Sequence, residues 1–180
     1  MALGVVESSS ISAGIEAADA MLKAARVDLL SCAPTCPGKY VIIVGGMVAE
    51  VQAAVEAGSR TAADALVDDI VIPNVHPQVL SAFTATVAPE QVAAIGMIET
   101  FSLAAAIIAG DQAVKSARVD LLEIRLGRAL GGKAFVLLTG EVAAVRAAVD
   151  AGIQAARTQG LLLGSMVVPA PHPDLVRSLL

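Results

Sequence analysis

Tryptophan is absent from this 180-residue chain, which has one tyrosine and three phenylalanines, so that aromatics make up 2% of it. That scarcity argues against an aromatic-lined pocket and against a stacking platform for nucleic-acid bases. Basic residues are also few, 12 against 17 acidic, for a formal charge of −5. With no basic run, a nucleic-acid surface is disfavoured. Long apolar runs are missing: stretches such as 103–109 and 160–168 fall short of the roughly 18 residues a spanning helix needs. The first basic residue is Lys23, so no charged segment precedes an apolar core as in a signal peptide. The expectation is a cytosolic protein. Cysteine is limited to Cys32 and Cys36, too little for a structural disulfide framework in that compartment.

What is present is small and aliphatic. Hydrophobic residues reach 56% and mean hydropathy is +0.75. Without a membrane span, such a value implies surface buried against other copies or relatives. The residues also fall into a pattern written twice. A-L-G-V-V-E (2–7) returns as A-I-G-M-I-E (94–99), and positions 2–30 and 94–122 share 15 identities in 29 positions. G-K-Y-V-I-I-V-G-G (38–46) returns as G-K-A-F-V-L-L-T-G (132–140), and V-I-P-N-V-H-P (71–77) as V-V-P-A-P-H-P (167–173). Two homologous domains follow, 1–88 and 93–180, with a bridge that includes 88–91.

Each half reads as strand (2–7), helix (10–25), strand (27–33), strand (40–44), helix (47–64) and strand (66–72), with a short helix after His76. Ile11, Ile15, Ala18 and Leu22 fall at helical spacing, and Val48, Val51 and Val55 share one side of the second helix. The order βαββαβ is the ferredoxin-like plan of an α+β protein, which by itself names no function. No G-x-S-x-G, phosphate loop, H-E-x-x-H or metal-spaced Cys/His set occurs, so nothing points to an enzyme.

One short stretch stands out. T-C-P-G-K (35–39) puts a thiol beside Pro37 and Gly38, and Cys36–Lys39 reads as a type II turn. Read alone, Cys36 is a free thiol on a stiff loop tip. Cys32 reads as a small buried hydrophobe, or as a resolving thiol for Cys36. The matching loop of the second repeat is two residues longer, lacks cysteine and carries Arg125 and Arg128, which either surround an anion or form a solvated face. Lys23 and Lys115 hold equivalent places at the ends of the first helices, where a lysine also suits the helix dipole. His76 and His172, one per repeat, have no companion ligand nearby in sequence and are poor metal candidates.

The signature formed by A-(L/I)-G-x-(V/I)-E, D-x-x-x-K-x-A-x-V-x-L, the G-K strand with its following V-x-x-V-x-x-A-V-x-A-G, and (I/V)-P-x-x-H resembles that of bacterial microcompartment shell domains. It covers both halves. Two domains in tandem resemble the trimeric shell proteins, whose six domains make a pseudo-hexameric tile. The cysteine loop resembles that of propanediol-utilisation members carrying an iron–sulfur cluster. The resemblance implies a homotrimer that joins other shell proteins at its edges and holds one 4Fe–4S cluster per trimer through Cys36. The loop residues Thr35, Pro37, Gly38 and Lys39 would surround it, and Lys23 and Lys115 would make the edge contacts. It implies passage of electrons or of a cluster across the shell, and hence a redox partner. The alternatives are a tile with a metabolite pore and no cofactor, and a soluble protein using Cys32 and Cys36 as a dithiol switch.

Overall fold

The computed structural model describes residues 1–83, 89, 92–127, 130–158 and 161–179. Most of the bridge at 88–91, and Arg128, lie outside the described residues. The elements run β1 (Ala2–Ser8), α1 (Ile11–Ala24), β2 (Asp28–Thr35), β3 (Lys39–Gly46), α2 (Val48–Ala62), β4 (Leu66–Ile72) and α3 (Pro77–Ala82). They recur as β5 (Ala94–Thr100), α4 (Leu103–Ser116), β6 (Asp120–Leu126), β7 (Ala134–Gly140), α5 (Val142–Thr158), β8 (Leu162–Pro169) and α6 (Pro173–Leu179). Each set forms a four-stranded sheet, ordered β2-β3-β1-β4 and β6-β7-β5-β8. All neighbouring strands are antiparallel. This is the ferredoxin-like order that the sequence predicts, made twice.

Two compact units result. One comprises Met1–Val75 with Gly127–Gly132, and the other His76–Leu126 with Lys133–Leu180. The second unit thus contains α3, the last helix of the first repeat. The first unit contains the long loop of the second repeat.

Within the first unit, alternate residues of β1 face the helices, as the period of a strand requires. Ala2 and Val6 join Ile42, Val44, Ala17, Ala18, Met21, Val51, Ala54 and Val55 in one core cluster. Gly4 lies between them on that face, where a Cβ would stand 2.6 Å from Val55 and 2.7 Å from Val51. In the second unit a Cβ on Gly96 would meet Leu138 and Val149 at 2.7 and 2.8 Å. The repeated A-x-G of the strands is therefore the seat of the valine face of the second helix. The first helices begin at serine caps: Ser10 accepts from the N–H of Ala13, and Ser102 from that of Ala105.

The other face of β1 is buried as well, since Leu3, Val5 and Glu7 are all shielded from solvent. In the second sheet the corresponding face carries Ile95 and Leu137, against which Val176 and Leu179 of α6 pack.

The repeats also trade volume. The ring of Tyr40 lies against Gly14, where an added Cβ would stand 2.4 Å from the Cβ of Tyr40. Ala106 and Ala134, at the matching positions, are both buried, so two small residues replace a glycine and a tyrosine. Gly14→Ala overpacks this contact and costs about 1–3 kcal/mol in chemical denaturation. Adding Tyr40→Ala to that variant recovers part of the loss, because it recreates the pairing of the second repeat. Independent, additive losses would refute the coupling.

Candidate functional site

The hairpin between β2 and β3 turns through Cys36, Pro37 and Gly38. It closes one residue earlier than the sequence predicts. The N–H of Gly38 donates to the carbonyl of Thr35 at 3.0 Å, around a cis Cys36–Pro37 peptide. The turn thus spans Thr35–Gly38 rather than Cys36–Lys39, with Gly38 at φ 84°. The N–H of Cys36 donates at 3.3 Å to the carbonyl of Gly127, in the long loop that belongs to this same unit. Gly127 has φ 71°, and a Cβ there would fall 2.1 Å from Oγ1 of Thr35. Glycine is thus required twice, by conformation and by space. The Cys36 side chain is exposed, while Thr35 is buried.

Lys39, at the first position of β3, turns away from the tip. Its Nζ donates to Oε1 of Glu7 at 2.6 Å. Glu7 is wholly buried in β1, and the lysine side chain is 17% exposed. This lysine neutralises a buried carboxylate and braces the hairpin against the central strand.

Cys32 is half-buried, with its Sγ 3.3 Å from Oη of Tyr40. The contact raises the phenol above its ordinary pKa of 10.0, through the hydrogen bond to Cys32 first and then burial. Among the described residues, no three His, Cys, Asp or Glu side chains stand together as a metal site within the chain. The exposed thiol of Cys36 is open to a metal, and its backbone neighbours are already engaged: the N–H groups of Cys36 and Gly38 bond to protein carbonyls, and Pro37 has none. A cluster fits this donor set only if several chains share it.

In the second repeat Arg125 lies in β6, opposite Phe135 of β7 and 5.0 Å from its ring centroid, and not in the loop where the sequence predicts it. Arg125 also donates to Glu123 at 2.6 and 2.8 Å, so its charge has local partners.

A second constellation lies where α3 packs on β6 and α4, inside the second unit. His76 caps α3 through Nδ1, which accepts the N–H of Gln78 at 3.3 Å. The His76 backbone N–H donates to Oδ1 of Asp111 at 2.8 Å. The other oxygen of Asp111 accepts from Lys115 at 2.5 Å. Gln78 makes two bonds: its Nε2 donates to Asp120 at 3.2 Å, and its Oε1 accepts the N–H of Leu121 at 2.9 Å. Val79, Leu121 and Leu122 are buried here.

Every counterpart in the other repeat is open. Leu29 and Leu30, matching Leu121 and Leu122, are 46% and 42% exposed. Ile11, Ile15 and Leu22 of α1 are also exposed, whereas Leu103, Ile107 and Val114 of α4 are buried. Asp19 and Lys23 pair at 2.6 Å in full view of solvent, while Asp111 is buried and Lys115 only one-third exposed. Helix α6 has no buried residue, yet it is capped as α3 is, with Nδ1 of His172 accepting the N–H of Asp174 at 3.2 Å. The two histidines are thus helix caps. Glu7, Gln78 and Tyr40 were not singled out by sequence reasoning. A lone carboxylate in the apolar strand 2–7 was the available signal for Glu7.

Comparison with known proteins gives these features a context. A family model described as the BMC domain matches twice, at residues 2–75 and 94–171. The bacterial microcompartment shell protein PduT of Citrobacter freundii is 40% identical over 178 residues, covering 99% of this chain and 97% of that protein. The crystal structure of a microcompartments protein from Desulfitobacterium hafniense DCB covers 98% of both chains at 52% identity, with a TM-score of 0.89. A fused permuted hexameric shell protein from the RMM microcompartment, 22% identical, shares the fold at a TM-score of 0.65 over 87% of this chain and 81% of that one.

Tyr40 is the one tyrosine in the chain, so phenolate absorbance on alkaline titration reports it alone. Its midpoint lies above 10, and Cys32→Ala moves it back towards 10. The folded phenol binds its proton more tightly than the unfolded one. The stability this contributes is therefore complete below pH 10 and is lost as pH rises through the folded midpoint. An unchanged midpoint in Cys32→Ala would show that burial alone sets it.

Proposed function

The chain belongs to the BMC-domain family as a tandem shell protein of a bacterial microcompartment, and from that premise we propose a homotrimeric, pseudo-hexameric tile that holds one 4Fe–4S cluster through Cys36 of three chains. The domains 1–88 and 93–180 would be its six sectors. No helix among the described residues is long and apolar enough to cross a membrane, so the exposed apolar residues call for another partner.

The observation that carries the assembly is the half-finished joint. Inside the chain, α3 and its cap bond to Leu121 and Asp111, where β6 and α4 are buried. The outer side of the matching α6, with Asp174, Leu175 and Arg177, and the matching Leu29, Leu30 and Asp19 are both exposed, and they suit one another across two copies. A head-to-tail contact of this kind closes into a ring when its rotation permits. Each apolar side chain there is about half exposed, so covering it recovers roughly 1 kcal/mol.

The cluster reading rests on the hairpin. A single exposed thiol, fixed on a braced tip and lacking a counterpart in the second repeat, would supply three ligands per trimer. A cubane has a threefold axis through one iron, so three corners can be held and the fourth left without a protein ligand. When bound, the cluster would supply one-electron chemistry at a tile otherwise built for enclosure. Thr35, Pro37, Gly38 and Lys39 act as the scaffold that fixes the thiol: Thr35 by packing on Gly127, Lys39 by its bond to Glu7. The exposure of Cys36 at a turn equally suits a second reading, a tile whose pore passes metabolites without a cofactor.

Anaerobic reconstitution with iron and sulfide separates the two readings. One cluster per three chains is expected. Cys36→Ser should remove the visible absorption and the electron paramagnetic resonance signal of the reduced protein, while the trimer persists. Full iron in Cys36→Ser, or one cluster per chain, would sink the Cys36 reading, and a parent that takes up no cluster would leave the plain tile. The edge roles of Lys23 and Lys115 are tested separately. Changing both to Ala should weaken layer formation seen by electron microscopy and leave trimers in solution, whereas layers like the parent's would refute it.

A further inference from the structure

The two joints match in shape but not in charge. Position for position, Gln78 of α3 corresponds to Asp174 of α6, Ser81 to Arg177, and Val79 to Leu175; Asp120 of β6 corresponds to Asp28 of β2. Inside the chain, the neutral amide of Gln78 offers one donor and one acceptor, and both are used, on Asp120 and on the N–H of Leu121. An ionised carboxylate at that place only accepts. Asp174 can take the N–H of Leu29, but it has no proton to offer Asp28. Two carboxylates would then face each other across the junction, an arrangement that costs affinity unless a cation lies between them.

That cation is present. Arg177 stands one helical turn after Asp174, on the same side of α6, and is already ion-paired with it. Both side chains are largely exposed, 73% and 68%. The opposite side of the helix is fixed, since Val176 and Leu179 pack on the second sheet. Asp174 also lies 3.6 Å from Nδ1 of His172, and Asp19 with Lys23 waits on α1 where Asp111 receives the N–H of His76. The guanidinium is planar and carries five donors, enough to serve two carboxylates at once. We propose that the joint between copies is an ionic lock in which Arg177 bridges Asp174 of its own helix and Asp28 of the neighbouring copy, while the equivalent joint within the chain is a neutral amide lock. This rests on the trimer reading above and names the chemistry of its contact.

The consequence is a division by salt. The joint within the chain has no ion pair across it: the neutral amide of Gln78 meets Asp120, and Asp111 is paired with Lys115 of its own helix, so this joint depends little on ionic strength. The joint between copies weakens as exposed charges are screened, over a Debye length that falls from about 10 Å at 0.1 M to about 3 Å at 1 M.

The test is subunit exchange between two fluorescently labelled pools of the full chain, at about 50 mM and about 1 M sodium chloride, with sedimentation to establish the oligomer. Exchange of the parent should quicken with salt. Arg177→Ala should speed exchange about tenfold at low salt, because removing one partner of an interfacial pair acts mainly on dissociation, and should match the parent at high salt. Adding Asp174→Gln to Arg177→Ala rebuilds the amide lock and should restore slow exchange that salt no longer changes. All these positions are exposed in the single chain, so folding is not at stake. A trimeric parent whose exchange is unaltered by Arg177→Ala, or a double variant that is not rescued, overturns the ionic lock and leaves the trimer standing. A parent that sediments as a monomer at all concentrations overturns both.

Discussion

The ion pair between Lys39 and Glu7 is the constraint on which the candidate site depends. Glu7 sits on the central strand of its sheet, in a layer with Leu3 and Val5 that water does not reach. A carboxylate left unpaired in such a place costs several kcal/mol, and removing one partner of a buried pair typically costs about 3–5 kcal/mol. Its partner is the residue that starts β3, three positions after Cys36. The energetic need of the core therefore fixes one leg of the hairpin, and Thr35 packed on Gly127 fixes the other. A thiolate ligand requires such restraint, because ordering a loose loop would draw on the free energy of metal binding. Where the second repeat drops the cysteine, the buried version of this pair is relaxed: Glu99 is half-buried and Lys133 exposed.

Much of this was legible beforehand, and the exceptions share one cause. The βαββαβ order, the doubling and the strand positions follow from periods and punctuation that act within a few residues. The stripe of Ile11, Ile15 and Leu22 is helical in spacing, as read, but it is the side left open, while Gly14, Ala17, Ala18 and Met21 face the sheet. Small residues bury completely with little hydropathic contrast, so period alone cannot tell which apolar side meets the core. The turn at Cys36 deviated because the cysteine N–H bonds to Gly127, a partner 91 positions away that no local rule can see. Cys32 resisted assignment by alternation because the register of β2 shifts between Leu29 and Ser31. With that bulge in place, Cys32 pairs with Ile42, and the next pair on that face brings Pro34 opposite Tyr40. The match to relatives such as PduT supports the family and does not reach these contacts.

The divergence of the repeats is concentrated where they meet different surroundings. Volume is exchanged in the core between Gly14 with Tyr40 and Ala106 with Ala134. Charge is exchanged in the last helix, where an amide and a hydroxyl become a carboxylate and a guanidinium. Each exchange is compensated nearby, so each half keeps the same backbone plan while its exterior chemistry changes.

The trade of segments between the compact units has a consequence for synthesis. The first unit includes Gly127–Gly132, so a nascent chain that has emerged through β4 still lacks the carbonyl that receives the N–H of Cys36. Helix α3 likewise emerges before β6, whose Asp120 and Leu121 will hold it. On the ribosome, the N-terminal half must wait, with its hairpin unbraced by Gly127 and its last helix undocked, until the second half arrives. A gene cut between the repeats would therefore not yield two finished halves.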